Sequence, residues 1–137
     1  MGKRSLRLRT FTSARDEPRW TQPARSSCTE YGGCSPLDAP ISAQFCAFEW
    51  WYGERHELVD FSYEIQVKRP SDEQWQVVYR ADAKHGTIHE HRFWPNGQED
   101  RIDLRSINAT SDVNVMSDTL RSTVMHEYRN ELRRWIP

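Results

Sequence analysis

Between Leu58 and Lys68 the chain alternates strictly, with Val59, Phe61, Tyr63, Ile65 and Val67 on one side and Asp60, Ser62, Glu64 and Gln66 on the other. A period of two sends successive side chains to opposite faces of an extended strand, so one face must be buried and the other is polar. A lone strand cannot do this, and the segment therefore demands partner strands and a cover for its apolar face. The sequence downstream supplies both. Pro70-Ser71-Asp72 reads as a turn, and Trp75, Val77 and Tyr79 mark a second half-buried strand. Thr87 to Trp94 reads as a third, Pro95-Asn96-Gly97 as a hairpin, and Glu99 to Leu104 as a short fourth with Ile102 and Leu104 turned inward. Val113, Met116, Leu120, Val124, Tyr128, Leu132 and Trp135 then recur at steps of three and four, the spacing of one apolar helix face. Ser111 is positioned to cap that helix, with Asp112 favouring its positive end, while Arg129, Arg133 and Arg134 suit its negative end as solvated cations. The expected fold is α+β: a small antiparallel meander of about four strands packed against one C-terminal amphipathic helix.

The first part of the chain reads differently. Pro18, Pro23, Pro36 and Pro40, with the Gly32-Gly33 pair, oppose regular structure through fixed φ, missing donors and glycine entropy. Lys3, Arg4, Arg7, Arg9, Arg15, Arg19 and Arg25 face only Asp16 and Glu17 in the first 27 residues, so the charge of a nearly neutral chain is concentrated at one end. Residues 1–40 are therefore expected as a flexible basic arm and residues 41–137 as a single domain, a size that 137 residues fit. No segment approaches the run of about 20 apolar residues that spans a membrane, and no apolar leader is visible. The expectation is a soluble, cytoplasmic protein with no membrane partner. Cys28, Cys34 and Cys46 are odd in number and are read as reduced thiols; a zinc site completed by His56 would have spacings unlike those of zinc fingers.

Chemistry concentrates between Arg80 and His91, where His85, His89 and His91 fall close together. On a strand His89 and His91 share a face, and Gly86 would let His85 fold back toward them. The third strand is also a poor strand by pattern, because neither His89-His91-Phe93 nor Ile88-Glu90-Arg92 is cleanly apolar. Three readings fit these residues. Paired imidazoles, which titrate near neutrality, can act as general acid and base with Arg80 or Arg92 supplying positive charge. Alternatively, His85, His89 and His91 can ligate one zinc-like ion, with Asp82 or Glu90 beside it. Or the group is a hydrogen-bonded structural network.

The run from Tyr79 to Gly97, YRADAKHGTIHEHRFWPNG, resembles a signature of small prokaryotic proteins, R-x-D-x-x-H-G-x-x-H-x-H followed by a hairpin turn. These are similar in plan to TumE-type toxins of toxin–antitoxin loci, a meander with a C-terminal helix, and the likeness covers about residues 57 to 135. Arg80, Asp82, His85, Gly86, His89 and His91 occupy the signature positions, whereas Ala83 and Lys84 add nothing to it. The resemblance implies a toxin acting on RNA as a metal-independent endoribonuclease without a cofactor, with Arg80, Asp82, His85, His89 and His91 as its catalytic set, held in check by a cognate antitoxin. The alternative is a non-enzymatic protein-binding factor of a mobile element, an anti-defence or regulatory partner.

Overall fold

The computed structural model describes residues 20–137; the start of the expected basic arm, residues 1–19, lies outside the described residues. Six strands follow one another: β1 Thr29–Pro36, β2 Ser42–Tyr52, β3 Glu57–Lys68, β4 Gln76–Lys84, β5 Thr87–Phe93 and β6 Glu99–Ser106, and then the helix α1 Thr110–Leu132. The strands pair antiparallel in sequence order, so the α+β plan holds with a meander of six strands rather than four.

Of the two additional strands, β1 lies in the stretch that prolines and glycines mark as irregular, and β2 lies in the expected domain ahead of the alternating segment. Pro36 ends β1, an edge strand, where a missing N–H donor is tolerated. Gly32 lies opposite Phe48, and a Cβ there would stand 2.4 Å from the phenyl ring, so the glycine admits a close approach rather than breaking the strand. Cys34 and Cys46 are also register partners, with Cα atoms 4.0 Å apart, and they form a disulfide that ties β1 to β2. The expectation of three reduced thiols is thereby corrected, leaving Cys28 as the free one among the described residues. His56 sits in the next turn, stacked on Trp51, away from any zinc arrangement with the cysteines.

The stretch from Trp20 to Ile41, placed in the expected arm, also packs against the rest of the chain. Trp20 Nε1 donates to Thr110 Oγ1 at 3.2 Å, and Gln22 Nε2 bridges the carbonyls of Val59 and Ala83 at 3.0 and 2.5 Å. One 3-10 turn, Arg25–Ser27, then brings Arg25 to Asp60 at 2.7 Å, with its guanidinium 3.7 Å over the Trp50 ring. The segment thus crosses from the start of α1 to the opposite face of the sheet.

Helix α1 packs on one face of β3, β4 and β5. Phe61, Tyr63, Ile65, Val67, Tyr79, Ala81, Ala83 and Ile88 meet Val113, Leu120, Val124, Tyr128 and Leu132 there. Ser117, rather than Met116, completes the buried helix stripe, because its hydroxyl bonds the Tyr63 phenol, which also donates to Glu49 at 2.7 Å. Burial pushes the Tyr63 phenol far above its ordinary pKa. The helix starts at Thr110, one residue before the expected Ser111 cap, and Asp112 reaches back to the N–H groups of Asn108 and Ala109 at 2.8 and 3.1 Å. At the other end Arg134 is no solvated cation: it donates to the Val78 carbonyl and to Glu131, which also holds Arg92, while Trp135 Nε1 donates to the Phe93 carbonyl.

Two inward assignments fail for identifiable reasons. A register shift between Ile65 and Gln66 turns the start of β4, so Val78 and Tyr79 are buried and Trp75 is 39% exposed. On β6, Ile102 and Leu104 are 48% and 39% exposed, because this edge strand lies beyond the reach of α1. None of the helices among the described residues is long and apolar enough to cross a membrane.

This coverage makes a sharp expectation. Leu120→Ala should lower unfolding free energy in denaturant by about 2–5 kcal/mol, the range for a buried leucine. Ile102→Ala should stay within about 0.5 kcal/mol of wild type, as exposed sites do. Equal losses would mean that β6 is covered after all.

Candidate functional site

Because α1 takes one face of the sheet, every polar residue of the alternation in β3 goes to the other. Strand register then sets its neighbours: Ser62 opposite Asp82, Glu64 opposite Arg80, Asp82 opposite His89, and Arg80 opposite His91. In an antiparallel pair such partners lie on the same face with Cβ atoms about 5 Å apart. Four adjacent strands, β3 to β6, therefore bring a grid of ionisable side chains onto the helix-free face.

This face is not a solvated one. Asp82 and His89 retain only 5% and 4% of their exposure, and Asp60 only 3%. His89 Nε2 stands 2.5 Å from Asp82 Oδ1, and His91 Nε2 stands 3.9 Å from Asp82 Oδ2. The other nitrogen of His91, Nδ1, is 2.6 Å from Glu99 Oε2 on β6. The two imidazoles meet edge to face, with centroids 4.9 Å apart. Next to this group lies a cavity of about 250 Å³ lined by Arg25, Ser62, Glu64, Arg80, Asp82 and Lys84. Asp82 belongs to both.

The sequence-predicted site residues thus divide. Asp82, His89 and His91 come together, and Arg80 stands beside them with its guanidinium 2.8 Å from Glu64. His85 does not join them. The pairing of Lys84 with Thr87 leaves a two-residue turn in which His85 and Gly86 both take positive φ, 57° and 77°, and the His85 side chain is exposed at its tip. Arg25, Ser62, Glu64, Lys84 and Glu99 were not singled out. The polar half of the β3 alternation carried a signal for Ser62 and Glu64, but it reads equally as a solvent face; Arg25 has no local signal.

Burial sets the electrostatics. It pushes the Asp60 carboxyl above the usual range, against the opposing pull of the Arg25 guanidinium. It holds the His89 imidazole below its ordinary pKa, although the nearby Asp82 works in the other direction. The site therefore offers a neutral imidazole, a second imidazole braced by a carboxylate, a shared carboxylate, and a cavity rimmed by cations.

Residues 49–136, which include the whole Asp82, His89 and His91 group, match the family described as a domain of unknown function, DUF7718. The chain belongs to that family. Among curated proteins and among solved structures nothing matches it.

The depressed pKa of His89 has a consequence for stability. An unfolded histidine titrates near pH 6.5, so the unfolded chain accepts a proton that the folded site resists. The contribution is complete above about pH 6.5 and is lost as pH falls through that value toward the lower folded pKa. Melting of metal-free protein should therefore weaken from about pH 7.5 to about pH 5.5, and His89→Gln should flatten that slope. An unchanged slope in His89→Gln would show that His89 is not its source.

Proposed function

We propose that this chain cleaves RNA at its helix-free face, as a toxin-type protein of the cytoplasm. The observation that carries the reading is the position of Asp82, which joins the histidine pair to a cavity with Arg25, Arg80 and Lys84 on its walls. A cavity of this volume accommodates a phosphodiester, and guanidinium groups match its oxygens in a bidentate manner. The reaction is transesterification. The 2′-oxygen attacks phosphorus, its proton passes to the Asp82, His89 and His91 group, and the bond from phosphorus to the 5′-oxygen breaks with return of a proton to that oxygen. Arg80 and Lys84 face the charge that grows on the non-bridging oxygens. His85, on its exposed turn, takes no part.

A second reading, a non-enzymatic factor that binds another protein such as a cognate antitoxin, draws on Ile102 and Leu104, exposed beside the open edge of β6.

Purified protein incubated with RNA should yield fragments ending in a cyclic phosphate and leave DNA intact, since DNA lacks the internal nucleophile. His91→Gln should reduce the rate on the order of 100-fold, and His85→Ala should not change it. The double change Ile102→Asp and Leu104→Asp should leave cleavage untouched. A folded protein that cleaves no RNA and arrests no growth on expression would remove the nuclease reading and favour the binding factor.

A further inference from the structure

The approach of His89 to Asp82 is close but is no hydrogen bond. Asp82 Oδ1 and His89 Nδ1 are both buried and make no hydrogen bond to any described group, although His89 Nε2 is only 2.5 Å from Asp82 Oδ1. A buried polar atom without a partner is costly, and two at one spot need a reason.

We propose that Asp82, His89 and His91 form a binding site for one divalent transition-metal ion of the zinc class. The donor atoms of the three residues all lie within 4.8 Å of one another, and they converge from two adjacent strands with no loop involved. His89 and His91 are two apart on β5 and so share a face, and Asp82 stands opposite His89 on β4. His91 is also oriented as a ligand would be: Glu99 takes its Nδ1, which leaves Nε2 directed toward Asp82. Two imidazole nitrogens and one carboxylate suit zinc and its neighbours better than calcium or magnesium, which prefer oxygen alone. Three protein ligands leave a coordination position open, the arrangement of reactive rather than structural zinc.

The charges of the cavity point the same way. Of the three cations on the cavity wall, Arg25 and Arg80 are already held in ion pairs by Asp60 and Glu64. A divalent ion at Asp82 would add positive charge beside the phosphate seat. This last step rests on the proposed RNA cleavage, whereas metal binding itself does not. With the ion in place Asp82, His89 and His91 would be ligands, and the 2′-hydroxyl proton would pass to a metal-bound hydroxide, formed because the metal lowers the pKa of its water, instead of to them.

The test uses the full chain, untagged, stripped with a chelator and dialysed. Titration with Co²⁺, followed by visible absorption, should show a single equivalent taken up with the d–d bands of a low-coordinate nitrogen and oxygen site, and Zn²⁺ should displace it. Zn²⁺ should also raise the melting temperature. Asp82→Asn, which preserves shape, and His91→Gln should abolish uptake, and Glu99→Gln should weaken it by about 10-fold through its hold on His91. His85→Ala should bind as wild type does. Folded wild type that gives no cobalt bands, or Asp82→Asn that takes up metal as well as wild type, would overturn the site. Metal uptake without RNA cleavage supports the site and removes only the nuclease reading. Cleavage that persists in EDTA, in protein that takes up no metal, overturns the site and leaves the nuclease.

Discussion

The pairing of β4 with β5 is the constraint on which the helix-free face and its candidate site depend. The two strands are joined by the shortest practical turn, His85-Gly86, and both residues adopt the left-handed conformation that makes such a turn follow the strand twist. The turn leaves no freedom in register, so Asp82 must stand opposite His89 and Arg80 opposite His91. A slip of one residue would turn His89 and His91 toward the helix and bring Ile88 and Glu90 out. The helix opposes the same slip from the other side, because Ile88 is fully buried beneath it. His85, which does not reach the Asp82, His89 and His91 group, therefore still fixes the register that assembles it, through its backbone.

Much of the architecture could be read from periodicity because periodicity is a local property. The alternation from Leu58 to Lys68 became β3 nearly residue for residue, and the apolar stripe became the buried face of α1. What escaped depends on contacts between distant parts of the chain. Ser117 is buried because Tyr63 waits across the interface, and nothing near Ser117 in sequence announces it. Gly32 and Pro36 read as breakers until Phe48 and an edge position explain them. Ile102 and Leu104 carry the correct pattern for burial, yet one helix cannot cover six strands.

The site divides along the same line. The period of two was enough to bring His89 and His91 together, whereas Asp82 joins them through the register of β4 on β5. His85 was misplaced because a positive-φ turn points its side chain away from the sheet rather than back over it. Arg25 arrives from a segment expected to be unstructured, and it is the residue that makes the buried Asp60 tolerable.

The contrast between Asp60 and Asp82 separates a structural reading of this face from a functional one. Both carboxyls are almost fully buried on neighbouring strands of the same sheet face. Asp60 receives what a buried carboxylate needs for stability, an arginine at 2.7 Å whose guanidinium is stacked on Trp50. Asp82 has two imidazoles beside it, at 2.5 and 3.9 Å, and one of its oxygens is left without a hydrogen bond. An asparagine or serine at position 82 would fit a purely structural network at lower desolvation cost, since neither carries a charge into the interior. A fold able to build the Asp60 solution and yet retaining the Asp82 arrangement beside it is supporting a local energetic penalty. Such penalties persist where a site must hold something that the protein alone does not supply.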